Sequence, residues 1–369
     1  MGRCGSCAQQ PWPVSWWTGL LARAAAAVPS LPDSAARWQS TFDAIHSDSW
    51  SGSDGAHSAL LPDGRALVVY GDTFGGTVTA TGARGPDPPF FPNSMAIVSG
   101  DQVTWINEPG ERAIRAAADG TVYWPESVVA TGSEVHVFAN RVRRTTGEVS
   151  GIHVVGQSLV TVDLDTFALR SITTLTAAAR NEDHNGIWWS AGAAIDGPYL
   201  YVYGVQLTQP GDYGRSVYVA RVPVATMTQL SRWSYWNGVA WTPNSDLPAA
   251  ARLISSQADT VVSVWRSGTM WCLVSQKYGM LGRDIALWTA TSPQGPWQDA
   301  KVLYTIPTSE YADAMFYESA AHPEVPLASG KVLLSYSRNG SNDHIHADAN
   351  WGKPQYVEAS LGPLGSAQQ

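Results

Sequence analysis

Asp54-Gly55-Ala56-His57-Ser58-Ala59-Leu60-Leu61-Pro62-Asp63-Gly64-Arg65-Ala66-Leu67-Val68-Val69-Tyr70-Gly71-Asp72 reads as a β-hairpin with an acidic residue at each end. Asp63-Gly64 between two runs of strand-forming residues is a tight-turn signal. The same pattern returns at Trp124-Pro125-Glu126-Ser127-Val128-Val129, Trp188-Trp189-Ser190-Ala191-Gly192-Ala193, Ser255-Ser256-Gln257-Ala258-Asp259-Thr260-Val261-Val262 and Tyr317-Glu318-Ser319-Ala320-Ala321. Its marker serines, 58, 127, 190, 256 and 319, lie 69, 63, 66 and 63 residues apart. After each copy comes a Gly-containing turn and a second strand: Ala66–Tyr70, Val135–Phe138, Leu200–Tyr203, Met270–Val274 and Val332–Tyr336. Third and fourth strands are legible in places, as in Ser216–Ala220 and Ile285–Ala290.

A repeat of this length with four strands per copy predicts an all-β fold, a five-bladed β-propeller with four-stranded antiparallel blades spanning residues 38–362. Residues 1–37 lie outside the pattern and read as a leader that packs little on the propeller; residues 363–369 read as a tail. The apolar stretch Trp16–Leu31 is interrupted by Arg23, which makes it a poor signal peptide and too broken to insert in a membrane.

Composition narrows the partners. The 369 residues are 44% hydrophobic and 15% charged, enough for a large core, and 34 Gly and 23 Pro are spread along the chain as many short turns require. A formal charge of −8 with no basic run argues against nucleic acid. The 17 Trp and 14 Tyr offer flat apolar faces with polar edges, suited to sugar rings. Cys4 and Cys7 form a lone C-x-x-C without the second pair that a zinc ribbon needs, and Cys272 reads as a buried apolar residue. No cofactor is implied, and no metal-ligand spacing is present.

In a propeller the first strand of each blade lines the central channel, so its start lies at one mouth. That ring presents Asp54, Glu126, Ser190, Gln257 or Asp259, and Glu318. Asp72 ends the second strand of the first copy. Antiparallel neighbours run in opposite directions, so the 18-residue gap with its turn halfway brings Asp54 and Asp72 together. Glycosidic cleavage needs two such carboxyl groups, an acid for the leaving oxygen and a base or nucleophile. Asp54 and Asp72 are the candidate catalytic pair. His57, Glu126, Trp124, Trp189, Asn185, Gln257, Tyr317, Glu318 and His322 stand near the strand starts and are the candidate substrate-binding residues.

Ser53-Asp54-Gly55, Leu61-Pro62-Asp63-Gly64-Arg65, Tyr70-Gly71-Asp72-Thr73, Asn93-Ser94, Tyr123-Trp124-Pro125, Trp233-Ser234-Tyr235-Trp236, Ser292-Pro293-Gln294-Gly295-Pro296-Trp297 and Ala321-His322-Pro323-Glu324 together resemble an actinobacterial and phage propeller family that contains endo-D-arabinanases. The resemblance spans nearly the whole chain. It implies cleavage of α-D-arabinofuranose chains in mycobacterial-type arabinogalactan and lipoarabinomannan, with the family's two essential aspartates at Asp54 and Asp72. It also implies work outside the cell or at its surface, and a virion-borne enzyme fits the weak leader. Two rivals are open at this stage: a carbohydrate-binding propeller without hydrolysis, such as a phage tail receptor-binding protein, and an exo-acting arabinofuranosidase.

Overall fold

The computed structural model describes residues 30–45, 47–145, 151–176, 186–207, 213–243, 250–309, 311–328 and 330–364. After helix α1 (Ala35–Asp43), the chain forms β1 (Gly52–Ser53), β2 (His57–Leu60), β3 (Ala66–Tyr70), β4 (Thr73–Phe74), β5 (Phe90–Phe91), β6 (Ser94–Ser99) and β7 (Gln102–Trp105). A second group follows: β8 (Val122–Thr131), β9 (Glu134–Arg144), β10 (Ile152–Asp163) and β11 (Leu169–Thr176). The third comprises β12 (Trp188–Asp196), β13 (Tyr199–Leu207), β14 (Arg215–Pro223), β15 (Ser234–Trp236), β16 (Trp241–Pro243) and β17 (Ile254–Ala258). The last strands are β18 (Ser263–Ser267), β19 (Met270–Gln276), β20 (Asp284–Ala290), β21 (Lys301–Thr305), β22 (Met315–His322), β23 (Lys331–Asn339) and β24 (Gln355–Ser360).

Among the described residues the fold is all-β and β-propeller-like, with six sheets. Five are antiparallel sheets, or meanders, built on the repeated hairpins. The sixth is a three-stranded sheet, β1-β4-β5, that the repeat pattern did not reveal. Strand number also departs from a uniform four: β2-β3-β6-β7, β8–β11 and β18–β21 have four, the third meander carries six, and β22–β24 has three.

First strands touch in cyclic order, β2 on β8, β8 on β12, β12 on β18, β18 on β22 and β22 on β2. Between consecutive meanders lies a separate hydrophobic cluster, so every second strand is buried on both faces. In β3, Leu67 and Val69 pack toward the second meander, while Val68 and Tyr70 pack toward the fifth. In β19, Trp271 and Leu273 face the third meander; Cys272 and Val274 face the fifth. That is why these strands read as unbroken apolar runs rather than alternations. The marker serines have a structural use, because several lace neighbouring meanders. Ser127 Oγ donates to the Ser190 carbonyl at 2.9 Å, Ser190 Oγ to Asn140 Oδ1 at 2.9 Å, and Ser319 Oγ to Gln276 Oε1 at 2.7 Å.

The fourth copy departs from expectation. Gln257 lies on β17, which pairs with β14, and the first strand of its meander begins only at Ser263. The boundary at residue 37 is also corrected. Leu31, Ala35, Trp38 and Phe42 are buried between the first and fifth meanders, and α1 lies on β7 and β24. Ser34 starts this helix by accepting the Arg37 N–H, and Lys353 Nζ donates to the Phe42 and Asp43 carbonyls at its other end. No helix among the described residues is long and apolar enough to cross a membrane.

Trp38 is 1% exposed, its indole N–H held by the Pro32 carbonyl at 2.9 Å. Trp38→Ala is expected to destabilise the protein by about 3–5 kcal/mol in urea unfolding, the scale for deleting a buried large aromatic. A loss below ~1 kcal/mol would show that α1 is dispensable.

Candidate active site

Asp54 and Asp72 stand where the first hairpin changes sheets. Outside them β1 pairs with β4, and inside them β2 pairs with β3. At the junction the Asp54 N–H donates to the Asp72 carbonyl and the Gly71 N–H to the Asp54 carbonyl, each at 2.9 Å. Gly55 takes φ 64°, a left-handed conformation that a side chain would strain. A Cβ there would also lie 3.1 Å from Glu318 Oε2, so glycine leaves room for that carboxyl.

Both aspartates line a cavity of about 630 Å³ at the channel mouth, together with Trp124, Glu126, Tyr317 and Glu318. These six sequence-derived candidates are therefore brought together. Four others are not in its wall. Trp189 is buried in the core edge-on to Tyr235, and its neighbour Trp188 lines the cavity instead. Gln257 is displaced with β17, and Asp259 takes the place expected for it. His57 lies behind, in a separate space of about 80 Å³ that Glu126 also borders. His322 is a packing residue: its ring nitrogens meet Ser58 Oγ at 2.5 Å and Ser335 Oγ at 2.8 Å, and its ring stacks on Trp38. Burial pushes His57 down to about 4 and His322 to about 3, so both are neutral near pH 7. Asn185 lies outside the described residues.

The pair is electrostatically unequal. Arg144 Nη2 meets both Asp72 oxygens at 2.5 Å, and Trp124 Nε1 donates to Oδ1 at 2.9 Å. Burial raises Asp72, but this guanidinium and indole oppose the rise. Asp54 is pushed up to about 7, first by burial and then by the charge of Asp72, against a hydrogen bond from Tyr317. Asp54 can therefore hold a proton near neutral pH beside an ion-paired Asp72. Tyr317 is itself held by Asn339 Nδ2 at 2.9 Å.

Across the cavity Glu126 Oε1 accepts from Asn140 Nδ2 at 2.7 Å, while its buried Oε2 has no hydrogen-bond partner. Burial, with Asp259 adding to it, lifts Glu126 to about 8 against the pull of Asn140 and Arg215. Glu318 rises well above its ordinary value through burial and the charges of Glu126, Asp54, Asp259 and Asp72. It stands at φ 52° on a bulge in β22, and its N–H donates to Asp259 Oδ2 at 3.0 Å. Strain of this kind in a residue without glycine's freedom gathers at functional sites. Arg215 lies over the Trp188 ring at 4.2 Å.

Sequence reasoning missed Arg144, Arg215, Asn140 and Asn339. For the two asparagines a signal existed, because they follow the apolar runs of the second strands, Val135–Phe138 and Val332–Tyr336, by two and three residues, as Asp72 follows Ala66–Tyr70 by two. Among the described residues no group of three or more His, Cys, Asp or Glu is arranged to hold a metal ion.

A family model matches residues 38–358, nearly all of the repeat region. The chain belongs to the family described as Domain of unknown function (DUF5005). No curated protein matches the sequence. Among solved structures, this DUF5005 chain is similar to a Bacteroides ovatus protein described provisionally as a hydrolase, with TM-score 0.69, 18% identity and 89% of each chain covered. That likeness is one of fold. More distant are an endo-arabinase from Bacteroides thetaiotaomicron (TM-score 0.49, 10% identity, 87% of this chain and 98% of that one) and the catalytic domain of a Coprinopsis cinerea GH62 α-L-arabinofuranosidase (TM-score 0.44, 11% identity, 84% and 91%).

The raised carboxyls link stability of this DUF5005 fold to pH. Asp54 and Glu126 keep protons up to about 7 and about 8 when folded, against 3.8 and 4.5 as ordinary values. Between those limits the folded chain binds more protons than the unfolded one, so stability falls as pH rises. The melting temperature is expected to drop from pH 5 to pH 8.5, and Glu126→Gln, which cannot ionise, should flatten that slope. An unchanged slope in the variant would place its source elsewhere.

Proposed function

We propose that this protein is a glycoside hydrolase that cleaves α-D-arabinofuranosidic linkages in mycobacterial-type arabinogalactan and lipoarabinomannan, acting as an endo-D-arabinanase outside the cell or on a virion. The five meanders are read as the blades of a five-bladed propeller, with β1-β4-β5 as an added sheet that carries the acid pair. The observation that carries the reading is the inequality of Asp54 and Asp72. One carboxyl holds a proton to about 7 and its neighbour is ion-paired to Arg144, within a cavity that also presents Trp124, Trp188 and Tyr317. Environments that push two carboxyls apart are how acid and base roles are divided at one pH.

In this mechanism Asp54 gives its proton to the departing glycosidic oxygen as the bond to the anomeric carbon breaks. Asp72 supplies the negative charge that the positive sugar centre needs, as base toward water or as nucleophile. Arg144 opposes the rise that burial imposes on Asp72 and orients its carboxyl. Trp124 serves twice, donating its N–H to Asp72 and presenting a ring to the sugar. Glu126, Glu318, Asn140 and Asn339 bind hydroxyls. D-arabinan as substrate rests on the motif resemblance centred on Ser53–Gly55 and Tyr70–Thr73, and the neutral sugar class agrees with a cavity rich in carboxyls.

Asp54→Asn and Asp72→Asn should each lower hydrolysis of purified D-arabinan by at least ~100-fold while oligosaccharide binding survives. Glu126→Gln and Glu318→Gln should lose less, chiefly through a higher KM. If Asp54→Asn keeps near-normal turnover while Glu126→Gln or Glu318→Gln is inactive, the acid pair is misassigned. An inactive parent that still binds arabinan would instead favour a binding propeller.

A further inference from the structure

The cavity floor and its rim differ in chemistry. Asp54, Asp72, Glu126, Asp259 and Glu318 make the floor acidic. The wall above it includes Ile152, Leu207, Met280 and Met315, at the ends of strands and in loops of the second to fifth meanders. Ile152, Met280 and Met315 are 40%, 48% and 40% exposed, and Tyr213 beside them is 53% exposed. Of the other large exposed apolar side chains, Leu60 and Ile195 sit at the far ends of first strands, Val239 and Val302 toward the outside, and Phe90 against Arg144.

Scattered apolar side chains on a surface need no explanation, but a contiguous set in the wall of one cleft marks a binding surface. The occupant follows from two features. First, these residues line the same cavity as the carboxyls, so what touches them belongs to the molecule bound at the floor. Second, they are unbranched or branched aliphatic chains and thioethers, which lack the flat face that favours a sugar ring and pack well on flexible hydrocarbon. Leu207, Met280 and Met315 belong to the third, fourth and fifth meanders, whereas Asp72 and Arg144 belong to the first meander and the end of β9, and Ile152 is the cross-strand partner of Arg144. A cavity of about 630 Å³ has room for a sugar and such a group together.

We propose that Leu207, Met280 and Met315 form a subsite for an alkyl chain carried by the sugar bound at the acidic floor. This rests on the carbohydrate reading above and adds to it a substrate class: glycans bearing hydrocarbon on the side of the third to fifth meanders. Each methylene buried there is worth about a fourfold gain in affinity.

The test uses the full chain and the Asp54→Asn variant, which binds without turnover. Dissociation constants of methyl and octyl α-D-arabinofuranosides, the latter below its micelle concentration, are compared by calorimetry, with octyl glucoside as a third ligand. The octyl arabinoside is expected to bind at least about tenfold more tightly than the methyl one. Met280→Gln and Met315→Gln, shown by thermal melts to be folded, should shrink that ratio. Equal affinities for the methyl and octyl compounds, no binding of either octyl compound, or an octyl preference that both glutamine variants retain in full would each overturn the proposal. Tight binding of octyl glucoside with no arabinoside binding would uphold the apolar subsite and overturn the arabinan reading instead.

Discussion

Closure of the ring by the first strands is the constraint from which the rest follows. Five strands that touch in a cycle bring their starting ends to one mouth, so the residues there must face each other. Only small or hydrogen-bonding side chains fit so near the axis. Ser127, Ser190 and Ser319 answer by donating to the neighbouring meander, which pairs buried hydroxyls and ties the ring circumferentially. The five hydrophobic clusters lie between meanders rather than within them, so no meander buries its faces alone. Helix α1 fills the seam between first and last, which explains why Trp38 and Phe42 are among the most buried side chains.

That same closure forces carboxyls together. Asp54, Asp72, Glu126, Asp259 and Glu318 share one cavity with Arg144 and Arg215 as its nearby cations. Two guanidinium groups do not balance five carboxylates, so the molecule retains protons instead, and Asp54 and Glu126 rise to about 7 and about 8. Holding such a cluster works against stability, as does the left-handed backbone at Glu318. Sites of this kind persist because the scaffold over-determines them. Here four hydrogen bonds from Arg84 to carbonyls, one of them that of Ser51, anchor the chain just before the sheet flanked by Asp54 and Asp72.

The unequal surroundings of the two aspartates also depend on the sixth sheet. Had β1 and β4 simply continued β2 and β3, both residues would lie in one flat ladder. The change of sheet at Asp54 and Gly71–Asp72, permitted by the left-handed Gly55, turns them into the cavity. Arg144 then reaches Asp72 from the second meander while Tyr317 reaches Asp54 from the fifth. Each aspartate is thus tuned by a different neighbour.

By itself the sequence determined what is local and periodic. The Gly-containing turns and the runs of strand-formers showed the five hairpins, and the spacing across one hairpin was enough to bring Asp54 and Asp72 together. The all-β class and the ring of strand starts followed from the repeat. Tertiary structure decided what depends on which way a residue faces and on what crosses from another meander. Trp188 and Trp189 are adjacent on β12, so alternation puts them on opposite faces, and the packing of the meanders makes the first a cavity wall and the second core. Gln257 and Asp259 both fit the pattern until β17 leaves its own meander to pair with β14. Arg144 meets a residue 72 positions earlier, and Arg215 shares a cavity with Glu126, on another meander. Such pairings are fixed by closure of the ring, a condition on the whole chain that no short window of sequence contains.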